Sequence, residues 1–471
     1  MIWSTTRYNT WIALPVLIIA SFLIHGGTLG FSAFSDDHSA LWNAGVNGIP
    51  WRNGFFRPLS DLTFRVGHWI WGSEAFGHRC FNIVLHGTNA YLLFQLVRSR
   101  GQNDNTASSW TAWAAALLFV AYPFHQESVI WLVGRESALG TTTILAGLLI
   151  ATSSRSPRRY WVVGSIVFAG ALCYESALLL PLFLLPMTER TERRTFMYAM
   201  LVSGSAYLLA RSLAVGWSPD SYLNQLFAWK HGAFIINLPK VLVRLFLPPD
   251  PNSDQQLIKG GLLLGLLAIT AAYLLWKGRA PKFIPRIWWW WMALSLLIPM
   301  IGAVSTRTSE SDRYLYPASA FLAALVSSFL ARVPSRIPRT ALMGLLLVGS
   351  MFQQRIGQSH WRVASDQTRS ILEHLPEGPA YLLDLPDAYR GAFIFRNGFT
   401  EAVLLAGKKE ALLIDVRATD LRTDDKGATY ITFRGTRIDL LDTDIWCRWT
   451  GNTFERTNTP WPTDRTLKFN P

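Results

Sequence analysis

Apolar runs of 15 to 20 residues recur along the first three-quarters of the chain, divided by short polar connections. Trp11 to Leu29 and Ile258 to Trp276 are two of them, each close to the length a helix needs to cross a hydrocarbon core about 30 Å thick. Reading every such run as a helix predicts crossings at 11–29, 78–97, 110–122, 137–152, 160–173, 176–187, 195–214, 258–276, 286–302, 315–331 and 339–354. Two further stretches predict helices lying in the membrane surface. In Phe55 to Trp71 the aromatic residues are interrupted by Arg57, Asp61, Arg65 and His68, and in 231–247 Lys240 and Arg244 share one helical face.

After residue 354 the long apolar runs stop. Ala411 to Val416, Thr429 to Arg434 and Arg437 to Leu441 alternate in polarity as short strands do, with a turn expected at Arg434-Gly435-Thr436. The predicted fold is therefore a polytopic α-helical membrane protein of about 11 spanning helices. Its membrane domain covers 1–356, and a small C-terminal α/β or β-rich soluble domain covers 357–471.

Composition changes the picture in one respect. Only 16% of the residues are charged, against about a quarter in a soluble domain, so each charge needs a reason. The net charge of +13 does not indicate nucleic acid, because the basic residues form clusters between apolar runs, not one stripe. These clusters are Arg98 and Arg100; Arg155, Arg158 and Arg159; Arg190, Arg193 and Arg194; Lys277, Arg279, Lys282 and Arg286; and Arg332, Arg336 and Arg339. They alternate with connections poor in positive charge, which assigns the basic side to the cytoplasm and the C-terminal domain to the outside. The first apolar run is expected to be an uncleaved span. Cys80, Cys173 and Cys447 are too dispersed for a metal knuckle or a disulfide framework.

Candidate chemistry gathers on the predicted outer side. Asp36 and Asp37 adjoin at the mouth of the first span, where a short helix is expected over His38 to Gly45. Helix capping is the competing reading for one of them. Neighbouring helix positions diverge by about 100°, so the two cannot share a proton; one would take a proton while the other orients it or binds a cation. His78, Asn82 and His86 recur every four residues on one helical face, with Asn89 a turn beyond. Such residues at membrane depth face a bundle interior or a wet cavity. Two further outer loops carry His125, Glu127, Arg135 and Glu136, and then Arg307, Glu310, Asp312, Arg313, Tyr314 and Tyr316. Together they supply acids, a histidine and the forked cations that suit a phosphate-bearing lipid. The Asp442-Thr443-Asp444 triplet is read as turn chemistry. No phosphate-binding P-loop, zinc-protease helix or serine-hydrolase elbow occurs in the sequence.

These clusters, in this order, resemble the GT-C class of membrane glycosyltransferases. The nearest likeness is to the transmembrane and tetratricopeptide-repeat O-mannosyltransferases and their bacterial relatives. The matching residues are the Asp36-Asp37 pair, Phe56-Arg57-Pro58-Leu59, the His78, Asn82 and His86 helix, Pro123 with His125, Glu127 and Arg135, and Arg313-Tyr314-Leu315-Tyr316-Pro317. The chain departs from the family in having Tyr122 where a histidine commonly precedes the proline, and in lacking the repeats.

The resemblance implies inverting transfer of a sugar from a polyprenyl-phosphate lipid at the outer face of a bacterial inner membrane. Asp36 or Asp37 would be the base, with Asp37 preferred. Arg57, His78, His125, Glu127, Arg135, Arg307, Arg313 and Tyr314 would bind the donor phosphate and substrate, and Arg135, Arg307 and Arg313 would aid its departure. The acceptor, outside the cytoplasm, is left open among a protein hydroxyl, a lipid and a cell-envelope glycan, and a divalent cation, Mg or Mn, is open too. Two other classes compete with the enzyme: a transporter or lipid flippase with His78, Asn82 and His86 along its path, and an assembly scaffold working through 360–471.

Overall fold

The computed structural model describes residues 8–46, 55–100, 105–153, 156–216, 233–276, 286–302, 304–409, 413–416, 421–424, 428–433, 436–441 and 444–457. Expectations resting on Arg155, Lys277, Arg279, Lys282, residues 231–232 and 411–412, Arg434-Gly435 and Asp442-Thr443 lie outside them.

Among the described residues up to Glu373 the chain is built of helices and their connections. In order the helices are α1 (Tyr8–His25), α2 (Asp36–Val46), α3 (Pro58–Trp71), α4 (Ala75–Arg100), α5 (Asn105–Val120), α6 (Gln126–Val129), α7 (Arg135–Ser153) and α8 (Arg159–Ala171). There follow α9 (Leu180–Leu184), α10 (Arg193–Val215), α11 (Ala233–Arg244), α12 (Ser253–Trp276), α13 (Arg286–Ser295), α14 (Leu297–Gly302), α15 (Tyr316–Leu330) and α16 (Arg336–Glu373). Helix α4 is the hub, packing on α1, α5 and α7, while α15 closes on α5. Their shared core includes Leu17, Ile83, Phe119, Leu145 and Phe321.

Among the described residues three helical stretches are long and apolar enough to cross a membrane alone: Trp11–Thr28, Ala75–Arg100 and Arg193–Val215. Two other expected spans are broken. At 176–187, α9 sits between the 3-10 turns Glu175–Leu179 and Leu185–Met187, with Pro181 and Pro186 each starting a new turn, as proline's fixed φ favours. At 286–302 the run divides at Leu296 into α13 and α14, because Pro299 has no N–H to donate and its ring crowds the carbonyl of Ser295. The surface helix expected around 55–71 is α3, whose apolar side leaves Val66, Trp69 and Ile70 exposed while Ser60, Asp61 and Phe64 are buried.

Chain direction separates two kinds of residue. Helix α4 enters beside His78 and leaves at Arg98 and Arg100. Helix α7 starts at Arg135 and ends where Ala151 and Thr152 join Arg100 around one cleft. Helix α15 runs from Tyr316 toward Arg332. One end of the bundle is thus basic, and the other carries the Asp36, Glu127 and Arg313 loops.

Helix α16 has 38 residues and is about 57 Å long at 1.5 Å per residue, so it outruns the hydrocarbon core. Residue 356, where the domain boundary was expected, lies inside it. Beyond come β1 (Ala380–Leu383), the hairpin β2 (Ala388–Tyr389) and β3 (Ala392–Phe393), and α17 (Phe399–Leu405). Next are β4 (Leu413–Val416), the antiparallel β5 (Leu421–Thr423), β6 (Thr429–Phe433) and β7 (Thr436–Asp439), then β8 (Trp446–Trp449) and β9 (Phe454–Thr457). In the four-stranded sheet β1 lies parallel to β4 and to β8, pairing Tyr381 with both Ile414 and Trp446. The expected strands are β4, β6 and β7.

A second core joins this tail to the membrane loops. Phe34 and Leu41 around α2, Ile130 to Val133 before α7, Trp361 and Ile371 of α16, and Leu382, Phe393 and Phe395 bury one another.

Candidate functional site

Helix α2 begins at Asp36, two residues before the expected start. Asp37 is fully buried. Its Oδ2 accepts the backbone N–H of Phe34 at 3.1 Å and its Oδ1 that of Val133 at 3.0 Å. Burial pushes the Asp37 carboxyl up to about 7, against those N–H groups and the charge of Arg79. Asp36 is half-buried. The residue before the pair, Ser35, is strapped to the tail: its N–H donates to Ile394 O at 2.9 Å and its Oγ accepts from Asn397 N at 3.1 Å. Gly398 has φ +75°, and a Cβ there would lie 2.3 Å from Ser35 O, so only glycine allows this approach.

The loop from Val129 to Gly134 is held from below by α4. Asn82 Nδ2 donates to the carbonyls of Val129, Trp131 and Leu132 at 3.2 to 3.4 Å. Arg79, also buried, donates to Ile130 O at 3.0 Å and to Leu29, Phe31 and Ser32 carbonyls, tying this loop to the α1–α2 connection. Arg135 is buried as well, with donors on Leu132 O at 3.1 Å, His78 O at 3.1 Å and Thr63 Oγ1 at 3.3 Å, and its guanidinium 3.9 Å from the Phe64 ring centre. Sequence reasoning missed Arg79. A cation in the first turn of a span, in a chain this short of charge, was the available signal.

On the loop's other side Trp131 lies 5.1 Å under the guanidinium of Arg313. Arg313 donates its backbone N–H to Glu127 Oε2 at 3.0 Å and its guanidinium to Oε1, and Ser137 Oγ binds its carbonyl at 2.6 Å. Burial raises the Glu127 carboxyl and Arg313 opposes it. Burial alone would lower Arg313, but Tyr314 and Glu127 outweigh that and hold it well above its usual range. Arg57 pairs with Glu136 and with Glu175 at 2.8 Å, and its guanidinium lies 4.6 Å from the ring centres of Phe55 and Tyr174. Tyr174 also interacts electrostatically with Tyr314 and Arg313, which makes one belt of these groups. In it three carboxylates, Glu127, Glu136 and Glu175, face two guanidiniums.

The structure thus brings Asp36, Asp37, Arg57, Glu127, Arg135, Arg313 and Tyr314 around the Val129–Gly134 loop and the neighbouring belt. Arg307 is exposed on the connection before Asp312. His78 and His125 are directed elsewhere. His78 stacks on Phe64 and shares a hydrogen bond with Gly72 O at 3.2 Å. His125 joins His86, Phe119 and Tyr316 in a buried ring cluster and shares a hydrogen bond with Ser319 Oγ at 2.8 Å. His86 reaches the Tyr316 hydroxyl at 2.7 Å. Another pairing was not foreseen: Arg244 and Asp312, both buried, meet at 2.5 and 2.7 Å. Among the described residues no group of three or more His, Cys, Asp and Glu side chains is arranged to hold a metal ion.

No family model matches the chain. It is 27% identical over 274 residues to protein O-mannosyl-transferase Tmtc2 of Drosophila melanogaster, covering 49% of this chain and 29% of that relative. To Tmtc3 of the same organism it is 30% identical over 173 residues, 30% of this chain and 19% of that one. The match therefore spans less than a third of either relative. The crystal structure of ArnT from Cupriavidus metallidurans bound to undecaprenyl phosphate superposes with a TM-score of 0.50 over 88% of this chain and 90% of that one, at 14% identity. The chain shares the fold of ArnT, and part of it is similar in sequence to the O-mannosyl-transferases. With three helical stretches long and apolar enough to cross a membrane, it is an integral membrane protein. Asp37, after α1, and Arg313, before α15, flank a loop held by α4.

Proposed function

We propose that this GT-C protein transfers a sugar from a polyprenyl-phosphate lipid to an acceptor hydroxyl, with inversion, on the side of the membrane opposite its basic connections. The supporting observation is the Val129–Gly134 loop, gripped by Asp37 on one side and covered by Arg313 on the other. Asp36 is the base in this reading and Asp37 a positioning residue, the reverse of the expected preference. Both oxygens of Asp37 are engaged with backbone N–H groups inside the core, and a base must reach the proton it takes.

The acceptor O–H gives its proton to Asp36 as its oxygen attacks the anomeric carbon. The bond from that carbon to the phosphate oxygen breaks on the opposite face, and its electron pair leaves with the polyprenyl phosphate. Arg313 and the exposed Arg307 stabilise this anion. Arg57, Glu127 and Tyr314 shape the sugar pocket, and Arg135 and His78 support it from behind. The eleven crossings, the cytoplasmic placing of the basic end, the bacterial inner membrane and the outer position of 357–471 belong to the same proposal.

The purified chain in vesicles, given a panel of labelled polyprenyl-phosphate sugars, is expected to remove label from at least one lipid. Asp36→Asn should slow this by about 10²-fold or more with the melting temperature unchanged. Full activity in Asp36→Asn overturns the base assignment. Uptake of substrate into vesicles without transfer would favour the transporter.

A further inference from the structure

The basic end of the bundle holds a cleft that the transfer chemistry does not use. It has a volume of about 390 Å³ and is lined by Ser99 and Arg100 from the end of α4, Ala151 and Thr152 from the end of α7, Pro186 and Met187 after α9, and Ile287 of α13. Arg100 is its one charged wall among the described residues. The guanidinium lies 5.5 Å from the Trp291 ring centre, and its Nη2 is 3.3 Å from the thioether of Met187, which is a weak acceptor. Its Nε is buried with no hydrogen-bond partner among the described residues. A buried guanidinium donor without an oxygen acceptor costs stability until one arrives. Phosphate oxygens match that fork in geometry and charge. Among the described residues the hydroxyls of Ser99 and Thr152 donate to carbonyls one turn back in their own helices, Leu96 and Leu149, and can rotate toward a ligand.

We infer that this cleft binds the phosphate of an anionic phospholipid headgroup from the leaflet at the basic end. The neighbouring surface favours a lipid over free phosphate. Leu182 and Leu185, just before the lining Pro186, and Trp289 and Trp290, just after the lining Ile287, are each about two-fifths exposed, and Trp290 Nε1 donates to Leu182 O at 3.0 Å, joining the two segments into an apolar surface that suits acyl chains. Basic pockets between helices on the cytoplasmic side suit such headgroups, and indole side chains suit that depth.

The test titrates the purified full chain, in uncharged detergent, with phosphatidylglycerol, with phosphatidylcholine of the same chain length and with inorganic phosphate. Melting temperature and bound lipid by native mass spectrometry are the readouts. Phosphatidylglycerol is expected to raise the melting temperature saturably and remain bound at one copy, and the other two probes to do neither. Arg100→Ala should weaken phosphatidylglycerol binding about tenfold or more, as loss of a charge-assisted fork implies. The exposed Arg158→Ala should leave it within about twofold, because a single surface charge contributes little. Met187→Trp, which fills the cleft without changing charge, should also abolish binding, and it carries the test if Arg100→Ala does not fold. Undiminished affinity in a folded Arg100→Ala or Met187→Trp protein overturns the site. Equal protection by inorganic phosphate overturns the lipid as its occupant.

Discussion

Arg244 and Asp312 show how little a charge declares about itself until its partner is known. Each has a reason to be on the surface when taken alone, one on the polar face of α11 and the other in a connection rich in charge. They are buried against each other instead, with Arg244 stacked 4.6 Å from the Phe124 ring centre. Burial raises the Asp312 carboxyl to about 7 and Arg244 opposes it. Removing one partner strands the other: Asp312→Ala should destabilise the protein by about 3–5 kcal/mol, whereas an Arg244→Met, Asp312→Leu double variant should recover most of that. Denaturant unfolding in micelles measures both. Glu127, Arg135 and Arg313 were legible as residues because acids and cations are rare in this chain. Their bonds were not, since helical spacing tells which residues share a face but never which loops meet.

At the scale of the element, α4 was the most legible part of the molecule. Four-residue spacing put His78, Asn82 and His86 on one face, and that face is buried along its length. Its purpose was harder to see, because the partners of Asn82 are carbonyls, which every sequence has. Asn82→Leu should leave α4 intact and take a donor from three loop carbonyls; those of Trp131 and Leu132 keep the N–H groups of Gly134 and Arg135, so the cost falls on Val129 O, at about 1–3 kcal/mol for a buried polar group left unpaired. Hydrogen exchange of residues 129–134 should accelerate and transfer should slow, with no change in helical content by circular dichroism. Unchanged exchange would mean that Arg79 and Arg135 hold the loop without it. The breaks at α9 and around Leu296, inside two of the expected spans, were not legible for a definite reason. Hydrophobicity measures transfer into lipid and is blind to the missing N–H of proline.

For the whole molecule, composition marked where the lipid-soluble sequence ends but not where the fold divides. Polarity changes near residue 354, yet α16 runs on to Glu373 and the apolar side chains beyond it pack against Phe34, Trp131 and Val133. Ending the chain after residue 359 would uncover those side chains and remove the partners of Ser35. The truncated protein should therefore aggregate or melt at least several degrees lower, and 360–471 alone should not fold cooperatively. Size-exclusion chromatography and thermal melts of both pieces decide this; a well-folded, fully stable fragment on either side would restore two independent domains. Polarity is a local property of sequence, whereas a shared core depends on contacts between segments hundreds of residues apart.

The strap from Ser35 to Ile394 and Asn397 couples the tail to the first turn of α2. Because residues 394 and 397 are fastened one residue from Asp36, a change in the tail that shifts residues 394–398 would re-aim that carboxylate. Selectivity for a new acceptor could then arise by mutation in the tail, but each such change would also be felt by the folded state, so tails grafted between relatives would need their α2 grafted with them.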